Sequence, residues 1–261
     1  MNRLSIIPFL LILTFITLFS SCSSDEVKKS EGITLRQSAN DTLLSEQKDF
    51  ANLNTKPNTV LLTGLASHRL VTIYKEKYDK RSNQPYIDGN YYYSNNHNDY
   101  YDKANNWNNH FMPGIEAIYG YNLLNISHYN LSTKESNLFF ESPVLINTLY
   151  YPALEQDTLN YQPINRNYYM VSVYDEDTNN DSLINYKDLR RFYHFDENGK
   201  NKTPLVPLDY SVIKSEYDSK NDLMYVFAQH DKNKNGSKES DEPLHVFWIK
   251  LEAPKMGERL Y

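Results

Sequence analysis

Hydrophobic and polar residues follow one another in short runs over most of this chain. Beyond residue 59, apolar or alternating runs are separated by clusters of Asn, Asp, Ser and Pro, which favour turns. The runs cover residues 60–65, 69–74, 118–129, 138–140, 144–151, 168–174, 189–195, 210–217, 223–229 and 244–251. No stretch has the apolar spacing of a long amphipathic helix. The pattern therefore predicts an all-β domain of short antiparallel strands.

A strand–acidic loop–strand unit occurs twice in this pattern, with a spacing of 54 residues between Asp177 and Asp231. The flanks match at the same spacing, because Val171 and Val173 correspond to Tyr225 and Phe227. The corresponding polar positions are Asp177, Asn179, Asp181 and Asp188 in the first copy and Asp231, Asn233, Asn235 and Glu242 in the second. Such a repeat predicts two supersecondary units of the same kind.

The first loop carries oxygen-bearing groups at the positions that bind Ca²⁺ in EF-hand loops. Positions 1, 3, 5, 7, 9 and 12 are Asp177, Asn179, Asp181, the Leu183 carbonyl, Asn185 and Asp188. Ile184 occupies position 8, where an aliphatic residue packs the loop onto its core, and Ser182 occupies position 6, where Gly is normal. The loop resembles the dockerin form of the EF-hand loop, which also prefers Asn at position 9 and Asp at position 12.

The second loop has the same arrangement and a more positive surrounding. Its ligand positions are Asp231, Asn233, Asn235, the Ser237 carbonyl, Glu239 and Glu242, with Gly236 at the sharp turn. We expect it to bind calcium more weakly, because Lys232, Lys234 and Lys238 lower the negative field. The alternative for both loops is an Asn- and Asp-rich turn that binds no metal. The alternating flanks exclude an EF-hand or dockerin with helices on either side.

Two strand–loop–strand units with further strands between them resemble successive blades of a β-propeller. Calcium loops between adjacent blade strands also occur in the propellers of integrin α subunits. Roughly 200 residues hold only four or five blades of ~40–45 residues each. The expected fold is therefore a propeller-like arrangement of short antiparallel strands with calcium loops between them, and the alternative is a β-sandwich.

The first 21 residues have the three parts of a bacterial secretory signal. Arg3 is positively charged, residues 4–19 are mainly apolar, and the small residues Ser20 and Ser21 precede Cys22. The apolar run is shorter than the roughly 20 residues that a spanning helix needs. The end of this segment resembles the lipobox of bacterial lipoproteins, which implies that the signal is removed and that Cys22 carries the lipid. The alternative is an uncleaved membrane anchor.

Small and acidic residues follow the predicted lipid site. They are Ser23, Ser24, Asp25 and Glu26. This stretch resembles the export signal of Bacteroidetes-type surface lipoproteins, and Ser23 directly after Cys22 fits release to the outer membrane. The resemblance implies a lipid-anchored outer-membrane protein that faces the cell exterior. The alternative is that the acids are only a soluble tether and that the protein stays on the periplasmic face.

Three segments follow from these patterns. Residues 1–21 form a lipoprotein signal peptide, residues 22–58 a polar tether, and residues 59–261 a single all-β domain. The domain has a long insertion at about 80–110, in which aromatic residues between Tyr86 and Trp107 alternate with Asn, Asp, Ser and His. Aromatic faces and amides suit a sugar-binding surface. The alternative is a long polar insertion with a few Tyr packed on the core.

Composition narrows the classes of partner. The net charge is −6 and no basic stripe is present, which argues against nucleic-acid binding because that binding requires Lys and Arg to neutralise phosphates. Cys22 is the only cysteine in the sequence. Lipidation of Cys22 leaves none for a disulfide, so we expect stability to come from core burial and bound ions.

The sequence lacks the common catalytic motifs. It contains no lipase-type Gly-x-Ser-x-Gly, no His-Glu-x-x-His and no phosphate-binding glycine loop. We therefore expect a non-enzymatic, calcium-binding surface lipoprotein whose β-domain binds a glycan or a protein. The alternative is a small propeller-type enzyme that acts on polysaccharide, with Glu116, next to the aromatic insertion, as its candidate acid.

Overall fold

The structure is a computed structural model that describes residues 33–34, 55–78, 81–82, 84–86, 90–93 and 112–261. All of these residues belong to one unit, Gly32–Tyr261. Within the described ranges the chain forms antiparallel strands and turns and contains no helix. The expectation of an all-β, antiparallel fold is confirmed.

Nineteen strands follow one another along the described residues. The first nine are β1 (Ile33–Thr34), β2 (Thr55–Leu62), β3 (His68–Lys75), β4 (Lys77–Tyr78), β5 (Pro85–Tyr86), β6 (Asn90–Tyr93), β7 (Ile115–Asn130), β8 (Ser136–Leu138) and β9 (Leu145–Pro152). The next five are β10 (Asp157–Leu159), β11 (Gln162–Ile164), β12 (Tyr168–Tyr174), β13 (Leu183–Ile184) and β14 (Arg191–Asp196). The last five are β15 (Thr203–Pro204), β16 (Tyr210–Asp218), β17 (Leu223–His230), β18 (Leu244–Lys250) and β19 (Glu258–Arg259).

Every run that the sequence pattern predicts overlaps one of these strands, and the run at 168–174 coincides with β12. The strands that the pattern misses are mainly two or three residues long, too short for an alternation of apolar and polar residues to be visible. The chain enters the sheet at Thr55, before the predicted start of the domain at residue 59.

Two sheets contain most of the strands. The larger has nine strands in the order β15-β14-β12-β9-β7-β3-β2, with β6 and β8 also paired to the long strand β7. The smaller has the order β16-β17-β18-β19. Three two-stranded pairs complete the topology, β1 with β13, β4 with β5, and β10 with β11.

Strand β12 is buried on both faces, so the larger sheet has a core on each side. Tyr169, Val171 and Val173 belong to the first core, which other strands of the same sheet complete. Tyr168 and Met170 point the other way, into the second core. Because both faces of β12 are buried, its sequence is a run of apolar and aromatic residues that only Ser172 interrupts.

The second core lies between the two sheets. The larger sheet contributes Met170 and Phe192, and the smaller contributes Met224, Val226 and Phe247, among others. All five side chains are at most 4 % exposed. Fully burying an apolar side chain of this size contributes about 1.5–3 kcal/mol. Packing of the two sheets through this core fixes where their connecting loops meet.

Two β-bulges interrupt the sheets near the second core. In β9, Thr148 pairs with Ser172 and Ile146 pairs with Val173, which leaves Asn147 as an extra residue. The register between β16 and β17 shifts in the same way between Val212 and Lys214 and leaves Ile213 unpaired. Bulges bend a strand and re-aim nearby side chains.

Candidate calcium centre

Both acidic loops connect neighbouring strands of an antiparallel pair. The first acidic loop, residues 175–190, joins β12 to β14, and the second acidic loop, residues 231–243, joins β17 to β18. The strand–loop–strand unit expected from the repeat is therefore confirmed for both copies. Asp and Asn favour such loops because their side chains accept hydrogen bonds from nearby backbone N–H groups.

The first acidic loop is held in shape by the side chains at its first three predicted ligand positions. The Asp177 carboxylate accepts hydrogen bonds from the N–H groups of Asp181 at 3.0 Å and Ser182 at 2.8 Å. Asn179 Oδ1 accepts from the N–H of Asp181, and Asp181 Oδ1 accepts from the N–H of Leu183, each at 3.0 Å. These bonds draw the oxygens of positions 1, 3 and 5 into one tight turn.

The second acidic loop repeats the same hydrogen bonds at the same positions. The Asp231 carboxylate accepts from the N–H groups of Asn235 at 3.1 Å and Gly236 at 3.0 Å. Asn233 Oδ1 accepts from the N–H of Asn235 at 2.9 Å, and Asn235 Oδ1 accepts from the N–H of Ser237 at 2.8 Å. The sequence repeat therefore corresponds to a repeat of local geometry.

Backbone torsions also match between the loops. Positive φ angles occur at position 4, with 58° at Asn180 and 59° at Lys234, and at position 6, with 68° at Ser182 and 72° at Gly236. Ser182 thus adopts the left-handed conformation that Gly normally supplies at this turn. A residue with a Cβ pays roughly 1–2 kcal/mol for that conformation.

Position 12 of the first acidic loop is fully engaged in closing it. Asp188 is 0 % exposed, and its Oδ1 accepts from the N–H groups of Thr178 and Asn179 while Oδ2 accepts from the N–H of Asn185 at 2.8 Å. Burial raises the pKa of the Asp188 carboxyl, and these hydrogen bonds oppose the rise. Asp188 therefore ties the two ends of the loop together.

Position 12 of the second acidic loop has an unused oxygen. Glu242 Oε1 accepts from the N–H of Lys232 at 3.0 Å. Glu242 Oε2 is buried and has no hydrogen-bond partner. A buried carboxylate oxygen without a partner is costly, and a cation held by both oxygens of a Glu at position 12 removes that cost.

Position 9 differs between the loops. Asn185 is 3 % exposed and its Oδ1 accepts from the N–H of Lys187 at 2.8 Å. Glu239 accepts from the side-chain amides of Asn233 at 2.7 Å and Asn235 at 2.9 Å. These hydrogen bonds tie each side chain to other residues of its own loop.

The carbonyl position 7 of each loop lies in a short β-pairing. Leu183, in β13, pairs with Thr34 of β1, and Ser237 forms an isolated bridge with Asp188. Ile184 at position 8 is 3 % exposed and packs with Leu124, as expected for the aliphatic residue of such a loop. The pairing with β1 was not visible in the sequence, because two residues carry no periodic signal.

The two acidic loops contact each other directly. Lys238 donates its N–H to the Lys187 carbonyl oxygen at 3.1 Å, and Thr178 Oγ1 donates to the Gly236 carbonyl oxygen at 2.5 Å. With the bridge between Asp188 and Ser237, these bonds join the ends of hairpins that belong to different sheets. The spacing of the repeat predicts similar loops but says nothing about their contact, so sequence reasoning missed the role of Thr178.

Residues able to hold calcium are present, although their carboxylates are largely used within the loops. Within the described ranges, no three His, Cys, Asp or Glu side chains are arranged to hold a metal ion. An EF-type site also uses amide and backbone carbonyl oxygens, at positions such as Asn179 and Leu183 here. Glu242 Oε2 is a carboxylate oxygen that is still open to a cation.

The lysines of the second acidic loop are exposed. Lys232, Lys234 and Lys238 all lie on its solvent side. Solvent and salt screen exposed charges strongly. Their effect on an ion in the loop is therefore smaller than the sequence alone indicates, although its sign stays unfavourable.

Several predicted features lie outside the described residues. These are Cys22 with the signal peptide, the acids after it, most of the tether and much of the aromatic insertion, including Trp107. Tyr86 ends β5, and β6 from the same insertion pairs with β7. Glu116, the candidate acid, is half-buried in β7.

Comparison with known proteins found no family model that matches the sequence and no curated protein with significant similarity. Among the residues that the structure describes, none form a helix long and apolar enough to cross a membrane.

Proposed function

We propose that this chain is an outer-membrane lipoprotein, anchored through Cys22 and facing the cell exterior, whose two calcium loops stabilise a β-domain that binds a glycan or a protein. One observation carries the calcium part of the proposal. Loops 54 residues apart share the same side-chain-to-backbone hydrogen bonds at positions 1, 3 and 5, in the register of an EF-type loop.

A bound ion would stabilise the junction between the sheets. Each loop closes a hairpin of a different sheet, and the loops touch through Thr178 and Gly236. Calcium would offset the repulsion among the acids of each loop and give Glu242 Oε2 a partner. A stiff junction of this kind suits a domain whose only cysteine is the proposed lipid site.

Within the proposal, the sheets form a sandwich-like pair instead of propeller blades. The supporting observation is the second core, to which both sheets contribute side chains such as Met170 and Met224. One of the two sheets has nine strands, whereas a propeller blade has four. The repeated unit is then a hairpin with its loop, used once in each sheet.

Calcium-dependent melting tests this function. Millimolar Ca²⁺ should raise the melting temperature and EDTA should lower it, because an ion bound only to the folded state stabilises by about 2.7 kcal/mol at a hundredfold excess over Kd. Extracellular calcium-binding modules bind Ca²⁺ with a Kd of about 10⁻⁴–10⁻³ M. Asp177→Ala with Asp181→Ala should remove most of the difference between calcium and EDTA. Identical curves in both conditions would show that the loops are only acidic turns.

Cell fractionation tests the anchor. Cys22→Ala should leave the protein without lipid and soluble, and metabolic labelling with a fatty acid should mark the wild type alone. Membrane retention of the variant, with no lipid on the wild type, would contradict the lipoprotein assignment. Protease treatment of intact cells separates an outward-facing protein from a periplasmic one.

A further inference from the structure

A cleft of about 230 Å³ lies between the two sheets, beside the end of the first acidic loop. One wall is a row of cross-strand neighbours, Thr148 on β9, Ser172 on β12 and Phe192 on β14. The other wall is the part of β16 that ends at Ser215. The cleft opens where the sheets depart from regular pairing, because the bulged residues of β9 and β16 both line it. Bulges are over-represented next to functional sites.

Arg190 spans the cleft and joins the two bulges. Its Nη1 donates to Asn147 Oδ1 at 2.9 Å, and its Nη2 donates to the Ile213 carbonyl oxygen at 2.5 Å. Its Nε donates to the Val212 carbonyl oxygen at 2.7 Å. A guanidinium has five N–H donors, so one N–H on each terminal nitrogen is left for another acceptor. Asn147 and the backbone thus hold a cationic fork in place at the cleft.

Two buried serines in the cleft have no protein partner. Ser172 is 5 % exposed and Ser215 is 6 % exposed. Neither hydroxyl forms a hydrogen bond with any residue that the structure describes, and both residues line the cleft. Each hydroxyl faces the open space of the cleft, where it can donate a hydrogen bond to a bound molecule or accept one from it.

The charge of the cleft is positive. No Asp or Glu is among the described residues that line it. Lys214 also borders the cleft, but its Nζ donates to Glu216 Oε1 at 2.5 Å and lies 4.3 Å from the centre of the Phe227 ring. Arg190 is therefore the cation available to a ligand, and guanidinium groups bind carboxylates through paired hydrogen bonds.

We propose that this cleft binds a sugar acid, that is, a small hydroxylated carboxylate with a single ring. Arg190 binds the carboxylate of this ligand, and the hydroxyls of Ser172 and Ser215 form hydrogen bonds with its hydroxyl groups. Sites for drug-sized molecules have volumes of about 300–1,000 Å³. The volume of this cleft is smaller, which limits the ligand to a single ring. Phe192 and Tyr150 supply apolar surface for the ring. The inference deepens the proposed function, on which it rests, by naming a ligand class for the β-domain.

Calorimetric titration with glucuronate tests the site, with glucose as the neutral molecule of the same ring size. Glucuronate should bind saturably, and glucose at least about tenfold more weakly, because a hydrogen bond to a charged group is the stronger kind. Ser172→Ala and Ser215→Ala should each weaken glucuronate binding by roughly threefold to tenfold. Neither change removes a bond within the protein, so folding should be preserved. Ser219→Ala, at an exposed serine of the same hairpin, is the matched control and should leave affinity unchanged.

Arg190→Lys keeps the charge and removes the fork, so glucuronate binding should fall by at least about tenfold. Equal binding of glucose and glucuronate would overturn the assignment, as would serine variants with wild-type affinity or the absence of saturable glucuronate binding. A protein whose melting responds to calcium but which ignores glucuronate would overturn this inference and leave the calcium loops in place. Glucuronate binding by a protein whose melting does not respond to calcium would overturn the calcium loops and leave this inference in place. The same titration with alginate, a uronate polymer, tells whether the cleft binds the acid as a free molecule or at the end of a chain.

Discussion

Gly236 lies so close to the backbone of Thr178 that a Cβ at position 236 would be 1.8 Å from the Thr178 carbonyl oxygen. The contact is reciprocal, since Thr178 Oγ1 donates to the Gly236 carbonyl oxygen at 2.5 Å. Gly236 also has a φ of 72°. The contact between the loops therefore requires glycine at this position, and the positive φ of the turn favours it.

Gly236→Ala should strongly destabilise the domain. The added Cβ clashes with backbone atoms that cannot move without separating the loops, and the positive φ adds strain. We expect a loss of at least about 2 kcal/mol in the free energy of unfolding. Urea denaturation in EDTA measures this loss apart from any effect on calcium. Wild-type stability of the variant would show that the loops do not pack as described.

Ser182→Gly is the converse change at the equivalent turn. Ser182 has a φ of 68°, which glycine adopts without strain, although glycine also loses more entropy on folding. We expect a net gain of up to about 1 kcal/mol in the same denaturation experiment. The change in the free energy of unfolding should be opposite in sign to that of Gly236→Ala, so each variant is a control for the other. A clear loss of stability would mean that the Ser182 side chain contributes more than its torsion costs.

Glu242→Gln should reduce the calcium response of the second acidic loop while keeping its shape. Gln retains the acceptor that Lys232 uses and replaces the unpartnered Oε2 with an amide that repels a cation. The melting temperature in EDTA should stay level or rise, and the shift on adding calcium should shrink. Asp181→Asn is the matched change in the first acidic loop, because Oδ1 alone receives the N–H of Leu183. We expect Asp181→Asn to remove a larger share of the calcium-induced rise in melting temperature than Glu242→Gln does.

Stability should fall as the pH drops below about 6.5. Burial lowers the pKa of His128, and the nearby His68, whose Nδ1 lies 2.8 Å from His128 Nε2, lowers it further. The unfolded state therefore binds a proton on His128 more readily than the folded state does. The stabilisation is complete above the unfolded pKa of 6.5 and is lost as the pH falls toward the lower pKa of the folded state. His194, whose pKa burial also lowers, acts in the same direction.

The measurement is denaturation across pH 5–8 in EDTA, so that calcium does not contribute. His128→Gln should make stability depend less steeply on pH, and the remaining slope should include the share of His194. An unchanged slope would show that the His128 imidazole is not shielded from water in the folded protein.

Local patterns of the sequence predicted the elements and the loops well. A run of apolar and aromatic residues from Leu223 to Ala228 marks β17, and Asp and Asn at every second position mark both loops. These signals lie within one hairpin each, where spacing alone determines which side chains share a face.

Relationships between distant segments could not be predicted. Asn147 and Ile213 come together around Arg190 only because two bulges meet at the packed sheets, and neither bulge has a residue signature in this chain. The pairing of Thr34 with Leu183 depends on backbone groups that every sequence carries. A single sequence contains no information on which loop ends meet.

The burial of β12 on both faces bears on how the domain comes apart. Met170 and Val171 are consecutive residues, yet one belongs to the core between the sheets and the other to the core on the far side. Neither core can open without displacing the strand on which the other depends. Two cores that share a strand should therefore unfold together, in an all-or-none transition whose calorimetric and van't Hoff enthalpies agree. An ion that tightens one end of such a domain protects all of it against denaturation.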